Sequence, residues 1–171
     1  AAHSTLTLAD SNSTAILADG TLGKGVAEVE LSRQESDGAN RIEASHDGYV
    51  RRFGFAHRRQ LVLTGDGREL RGEDSLLPKG RRRRSGPTPF AIRFHLGRGV
   101  EASPTADGLA AVLRVPGGAL WQFRVRGDSL SIEDSLWIDA DGRPVAAQQL
   151  VVTGMAEAGG ASVSWALKRA R

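Results

Sequence analysis

The stretch Phe90-Ala91-Ile92-Arg93-Phe94-His95-Leu96 carries a large apolar side chain at every second position. Because successive side chains of a β-strand point to opposite faces, this period predicts a strand with its large apolar residues buried. Ala91, Arg93 and His95 then share the other face. An arginine beside a histidine on an open sheet face favours the binding of anions.

The same period of two recurs along the chain, at Leu6/Leu8, Leu61/Leu63, Trp121/Phe123/Val125, Leu130/Ile132 and Val163/Trp165/Leu167. Turn sequences separate these segments: Asp19-Gly20, Gly65-Asp66-Gly67, Asp107-Gly108, Pro116-Gly117-Gly118, Asp141-Gly142 and Gly159-Gly160. No stretch of ten or more residues has an amphipathic helix pattern. The sequence therefore predicts an all-β fold, an antiparallel multi-stranded β-sandwich with very little helix. Trp121 and Trp165 lie on apolar strand faces and are predicted in the core, whereas Trp137 is less clearly placed.

The composition limits the classes of protein to which this chain can belong. The chain has 171 residues, 40% hydrophobic and 25% charged, which fits a single domain over residues 1–171. It has no apolar run near the roughly 20 residues of a membrane-spanning helix, so no span is expected. Zero cysteines exclude disulfides and thiolate metal sites. The start Ala-Ala-His, without Met, suggests a chain that is processed or cut from something longer.

Residues 78–89, Pro-Lys-Gly-Arg-Arg-Arg-Arg-Ser-Gly-Pro-Thr-Pro, are too charged and too rich in Pro and Gly to pack, and they predict an exposed loop. The loop is either a solvated insertion between strands or a polyanion-binding element. Binding of nucleic acid through Arg81 to Arg84 would depend strongly on salt. Few aromatic residues are free to stack on bases, so a nucleic-acid partner is not expected. The general excess of Arg over Lys suits carboxylate or sulfate groups, and it equally fits an Arg-rich genomic codon bias.

Four segments, each containing a histidine, resemble a known family when they are taken together and in order. They are Ala2-His3-Ser4-Thr5, Ser45-His46-Asp47-Gly48-Tyr49, Phe55-Ala56-His57-Arg58-Arg59 and the Phe90 to Leu96 strand. The resemblance is to the C-terminal all-β domain of the heparinase II/III-like polysaccharide lyases, which cut acidic polysaccharides by β-elimination, and it runs from His3 nearly to the last residue. It implies a uronic-acid-containing substrate such as heparin or heparan, a periplasmic or secreted location, and an α/α-toroid domain as partner. No toroid sequence is present in this chain, so little activity is expected from it alone.

The resemblance also implies a structural metal, zinc or calcium. Asp10 is similar to an aspartate that holds this metal in related lyases, and His46 is the candidate for a second ligand. The family's remaining ligand lies before the stretch that opens this chain, so the ligand set is incomplete. The alternative for Asp10 is a turn former, because Asp10-Ser-Asn-Ser-Thr14 is a good Asx or Ser/Thr turn sequence.

The Ser45 to Tyr49 segment, followed by Arg51 and Arg52, is the densest polar cluster in the sequence. Removing a proton beside a carboxylate needs a base near the proton and a cation or hydrogen-bond donor on the carboxylate. We predict His46, Tyr49 and His95 as catalytic residues, with His3, Arg51 and Arg93 binding substrate. The alternative is a hairpin turn at Asp47-Gly48, with Tyr49 as a half-buried strand residue.

Other functional classes have less support. His57 resembles a family position and is predicted to be structural. The chain has no phosphate-binding glycine loop, Gly-x-Ser-x-Gly elbow or His-Glu-x-x-His pair, so hydrolase and nucleotide functions are not expected. The main alternative to a lyase domain is a non-catalytic module that binds acidic glycan through the Arg93/His95 face and the Arg81 to Arg84 loop.

Overall fold

The computed structural model describes residues 3–36, 38–80, 86–127 and 129–170. These residues form twelve strands and one helical turn, α1 (Val50–Phe53). The strands are β1 (Leu6–Leu8), β2 (Val29–Ser36), β3 (Ala39–His46), β4 (Phe55–Thr64), β5 (Glu69–Pro78), β6 (Thr88–His95), β7 (Glu101–Pro104), β8 (Ala110–Arg114), β9 (Leu120–Arg126), β10 (Ser129–Ile138), β11 (Pro144–Ala156) and β12 (Ala161–Arg169).

The strands form two antiparallel sheets. A four-stranded sheet has the order β1-β6-β11-β10, and an eight-stranded sheet has the order β2-β3-β4-β5-β12-β9-β8-β7. The predicted all-β sandwich with very little helix is therefore confirmed. Each apolar alternation that the sequence showed lies in a strand, except that Leu96 follows the end of β6. The predicted turn sequences lie between strands.

The core lies between the two sheets. Leu6, Leu8, Phe90, Ile92, Leu150 and Val152 come from the four-stranded sheet, and Phe123, Val125, Val163 and Trp165 come from the eight-stranded sheet. At its centre the ring of Phe94 lies 4.8 Å, between centroids, from Phe123 and 4.8 Å from Trp165. Burial of each large side chain stabilises the fold by about 1.5–3 kcal/mol. Trp165 is buried and Trp121 packs against the core, as predicted, whereas Trp137 is 44% exposed.

A glycine makes room for the central tryptophan. Gly72 on β5 pairs with Trp165 on β12, and a Cβ at residue 72 would overlap the indole ring. The ring therefore lies flat over the backbone of β5, which brings its N–H group towards the neighbouring side chain on that strand.

The unequal size of the sheets leaves part of the larger one uncovered. β2 is an edge strand with every residue exposed. Val29 and Leu31, on the inner side of that edge, are 69% and 72% exposed. The inner face therefore opens to solvent beside β3, next to the end of β1.

Two further expectations concern loops and membranes. β5 continues to Pro78 and β6 begins at Thr88, so the connection between them is shorter than the predicted loop of residues 78–89. Residues 81–85 of that loop lie outside the described part.

Among the described residues, no helix has the length and apolar character needed to cross a membrane.

Candidate functional site

Asp74 is the centre of a buried polar network. Its side chain is 1% exposed and lies on the inner face of β5. Its two carboxylate oxygens accept four hydrogen bonds, from His57 Nε2 (2.7 Å), Arg59 Nε (2.8 Å), Arg59 Nη2 (3.0 Å) and Trp165 Nε1 (2.9 Å). Burial alone would raise the pKa of Asp74. The His57 hydrogen bond and the Arg59 charge outweigh burial and hold this pKa below its ordinary value, so the carboxylate is ionised.

The network continues through two histidines that pair across β3 and β4. His46 Nδ1 accepts the Gly48 N–H at 3.2 Å, so the proton of a neutral His46 lies on Nε2. That Nε2–H donates to His57 Nδ1 at 3.2 Å. His57 in turn carries its proton on Nε2 and donates it to Asp74. The hydrogen-bond directions thus assign one tautomer to each ring.

Burial resists protonation of His46. Desolvation lowers the pKa of His46 to about 4, and the nearby His57 contributes to this decrease. The charge of Asp47 acts in the opposite direction but is outweighed. Near neutral pH the ring is therefore uncharged, and both of its nitrogens are engaged in the chain of hydrogen bonds. A shallow groove of about 250 Å³ reaches His46 and His57 from the uncovered edge near Val29.

Tyr49 is placed by the short helix that follows β3. It is the N-cap of α1, is 1% exposed, and its hydroxyl donates to the Leu6 carbonyl at 2.8 Å. Burial raises the pKa of Tyr49 to about 12. The residue is thus a buried tether between α1 and β1, rather than the half-buried strand residue of the alternative hairpin. No two-residue hairpin forms here, because a turn and α1 separate β3 from β4.

The residues predicted to hold a metal do not form a site in this arrangement. Asp10 is exposed at the end of β1, and the lone pair of His46 is taken by the Gly48 N–H. Within the described ranges, no group of three or more His, Asp or Glu side chains could hold a metal ion. The described residues by themselves therefore do not supply a complete ligand set, and the zinc or calcium that the resemblance implied stays a prediction.

Arg93 and His95 lie on the outer face of the four-stranded sheet, as predicted, and both are half-buried. Arg93 donates from Nη1 to Thr7 Oγ1 at 2.8 Å. His95 Nδ1 lies 2.8 Å from Ser135 Oγ, and the His95 amide donates to Ser4 Oγ at 2.9 Å. Side-chain contacts to β1 and β10 hold both residues in place.

The predicted site residues therefore divide between two regions. His46 and Tyr49 lie in the interior, with ring centroids 5.6 Å apart, whereas Arg93 and His95 lie on the outer face. His3 and Arg51 are exposed. The catalytic roles of His46, Tyr49 and His95 stay predictions, and the geometry gives the first two a structural part.

Sequence reasoning missed Asp74 and Gln149. Asp74 alternates with Gly72 and Leu76, which is the pattern of an inner-face residue, and that signal was available. Gln149 pairs with His95 across β6 and β11, and its buried Oε1 has no hydrogen-bond partner among the described residues. Only the strand register reveals that Gln149 lies beside His95.

Comparisons with known proteins place this arrangement in a family. Residues 1–166 match the family model described as heparinase II/III-like, C-terminal. The chain is 32% identical over 184 aligned residues to FtsZ-localized protein C of Caulobacter vibrioides, covering 95% of this chain and 32% of that protein.

Solved structures share the fold at low identity. Heparan sulfate lyase HepC from Pedobacter heparinus superposes with a TM-score of 0.74 at 11% identity, over 98% of this chain and 24% of the lyase. A crystal structure of heparinase III gives a TM-score of 0.72 at 15% identity, over 98% of this chain and 23% of that chain. The chain thus spans about a third of the curated relative and about a quarter of each lyase.

Proposed function

Because the chain belongs to the heparinase II/III-like C-terminal family, we propose that it is the β-sandwich domain of a polysaccharide lyase. In this proposal the outer face of the four-stranded sheet holds a uronic-acid-containing polysaccharide, and further groups of the intact protein complete the cleft. A toroid domain of the kind found in the family would supply them. A periplasmic or secreted location belongs to the same proposal.

The observation that carries this proposal is the set of polar groups on that outer face. Arg93 and His95 lie two positions apart on β6, and Gln149 lies beside His95 on β11. Gln149 Oε1 is buried and has no hydrogen-bond partner in the described part of the chain. A buried acceptor without a partner costs about 1–3 kcal/mol, and a rotation of the Gln149 side chain that exposes Oε1 would let a sugar hydroxyl remove that cost.

β-Elimination assigns work to these side chains. The reaction breaks the C5–H and C4–O bonds of the uronate, forms a C4=C5 double bond and leaves a proton on the departing oxygen. Arg93 would neutralise the uronate carboxylate, which lowers the cost of negative charge at C5, and His95 would accept the C5 proton. The departing oxygen needs a proton donor, which we assign to water or to a group outside this chain, because the Tyr49 hydroxyl is buried.

The test is release of unsaturated uronate, followed by ultraviolet absorbance. The intact protein and the 171-residue chain are each incubated with heparin, heparan sulfate, chondroitin sulfate and alginate. We expect activity from the intact protein and little or none from the 171-residue chain. We expect at least about a hundredfold loss in the His95→Gln variant of the intact protein, the low end of general-base effects. Binding without any rise in absorbance would favour the non-catalytic glycan-binding module instead.

A second candidate function comes from the relative that is 32% identical to this chain. Its name describes a protein localised with FtsZ, and the match covers 95% of this chain at twice or more the identity of the lyase structures. The intact protein would then localise with FtsZ. A fluorescent fusion of the intact protein, imaged together with labelled FtsZ, tests this candidate, and a distribution that does not follow FtsZ would contradict it.

A further inference from the structure

A depression of about 630 Å³ lies on the outer face of the four-stranded sheet, one row away from His95. Ala91 on β6 lies at its floor. Arg93, Thr153 and Met155 line its sides, and Asp10 lies at its rim. These five residues come from three neighbouring segments that are distant in sequence.

Strand register explains why the sheet is hollow here. Thr7 on β1, Ala91 on β6 and Thr153 on β11 pair side by side, so the central position of this row carries only a methyl group. The next row places Arg93 beside Val151, and the row on the other side places Met155 beside Pro89. Larger side chains therefore surround a small one.

Arg93 brings a positive charge to this depression. Its Nη1 is held by Thr7 Oγ1 at 2.8 Å, and no carboxylate of the described residues lies within ion-pair distance of it. Arg59, the comparable arginine of the interior, makes two hydrogen bonds to Asp74. A guanidinium that is oriented in this way matches a planar carboxylate, which accepts two parallel hydrogen bonds.

Asp10 and Met155 add the remaining features of a sugar site. The backbone turns sharply after β1, where Ala9 and Asp10 have φ values of 48° and 54°, and this turn places Asp10 at the rim. Left-handed conformations of residues other than glycine cost about 1–3 kcal/mol each and often occur at ligand sites. An aspartate accepts hydrogen bonds from hydroxyls, and Met155, which is 52% exposed, offers an apolar contact.

We propose that this depression binds one carboxylated sugar residue. The carboxylate lies on Arg93, the sugar hydroxyls donate to Asp10 and Thr153, and the ring packs over Ala91 and Met155. The inference rests on the proposed function and adds to it a single subsite, its chemical class and the orientation of the sugar. Acetate would contact only Arg93, and a neutral sugar would leave Arg93 without its partner.

The experiment is a titration of the ¹⁵N-labelled 171-residue chain, followed by the amide signals of Ala91 and Thr153. The probe is a tetrasaccharide that contains hexuronic acid, with the same tetrasaccharide reduced at its carboxyl groups and sodium acetate as comparison ligands. We expect the acidic tetrasaccharide to bind at least tenfold more tightly than either comparison ligand. Equal affinity for the reduced tetrasaccharide would overturn the role of Arg93.

Two variants locate the site, and one serves as control. Ala91→Leu fills the floor without changing charge, and Arg93→Gln removes the guanidinium, so each should weaken binding roughly tenfold or more, equivalent to 1.4 kcal/mol. Arg126→Gln removes an exposed arginine from β9 of the other sheet and should change affinity less than twofold. Because Ala91→Leu keeps the Arg93 guanidinium, it tests the subsite even where Arg93→Gln disturbs the fold.

The outcomes separate the two proposals. Binding or cleavage of acidic polysaccharide that is unchanged by Ala91→Leu and Arg93→Gln would overturn the subsite and the role of Arg93 in β-elimination. It would leave standing the assignment of the chain to the β-sandwich domain of a lyase. Absence of both binding and cleavage by the intact protein would overturn both. Loss of binding in the two variants but not in Arg126→Gln supports the subsite.

Discussion

The chain places an arginine and a histidine two positions apart on two different strands, and their environments are opposite. On β4, His57 and Arg59 face the interior, and both donate hydrogen bonds to the Asp74 carboxylate. On β6, Arg93 and His95 face outward, and Arg93 has no carboxylate partner among the described residues. The same residue types thus stabilise the sandwich in one region and leave binding capacity in the other.

The difference comes from which side of the strand meets a second sheet. The inner pair is desolvated, so its charge is tolerated only with a full set of hydrogen bonds. The ring of Phe94 and the ring of Trp165 also lie under the Arg59 guanidinium, at 5.8 Å and 6.0 Å. The outer pair keeps contact with solvent, and the Arg93 guanidinium has no carboxylate partner among the described residues before a ligand arrives.

Removal of the central carboxylate should have the largest effect. Asp74→Ala leaves the Arg59 charge and the N–H groups of His57 and Trp165 without their acceptor, and we expect the free energy of unfolding to fall by about 3–5 kcal/mol. Urea denaturation followed by tryptophan fluorescence measures this loss. The control is Glu101→Ala, which removes an exposed carboxylate that lies 3.9 Å from Arg114 and should have little effect. Equal small losses in both variants would show that the interior network is not important for stability.

The second largest loss of stability is expected where Trp165 packs against Gly72. Gly72→Ala forces the indole of Trp165 away from β5 and from Asp74, and overpacking of this kind costs about 1–3 kcal/mol. Gly159→Ala, at a turn glycine with open space around its Cβ position, is the matched control. Thermal unfolding of the two variants compares them, and a Gly72→Ala melting temperature equal to that of the control would contradict the tight contact.

Acid should weaken the interior network. The pKa of His46 falls from its ordinary value of 6.5 to about 4 on folding, so between these pH values the unfolded chain binds a proton that the folded chain does not. The stability contribution of neutral His46 is therefore complete above about pH 6.5 and is lost as the pH falls towards 4. Denaturation midpoints measured across this range should decline. His46→Gln should make the decline shallower, whereas His3→Gln, at an exposed histidine, should not.

The smallest expected effect on stability is at the outer arginine. Arg93→Gln loses one hydrogen bond to Thr7 on a partly solvated face, and we expect a change of about 0.5–1.5 kcal/mol. Arg59→Gln should cost more, because it leaves the buried Asp74 carboxylate without its cation. Side-by-side urea denaturation decides this point. Equal losses would mean that Arg93 is also a structural residue and that the contrast between the two regions is wrong.

Much of the fold could be predicted from the sequence, since the alternation at Phe90 to Leu96 and its counterparts reports directly which side of a strand is apolar. The position of Arg93 and His95 on the outer face followed from the same rule and is confirmed. Tyr49 was harder to predict. Asp47-Gly48 is a common hairpin signal, yet the chain makes a helical turn here that carries the Tyr49 hydroxyl to Leu6, a contact 43 residues away.

The sequence by itself determined the strands, their apolar faces, the all-β class and the resemblance to the heparinase II/III-like family, because these depend on local period and residue order. Only the tertiary structure decided that His46 is joined to His57 and Asp74, that Tyr49 is buried, and that Ala91 forms a hollow beside Arg93. These features depend on strand order and register, which bring residues distant in sequence together. The pairings come from packing of the whole sandwich and leave no local signal along the chain.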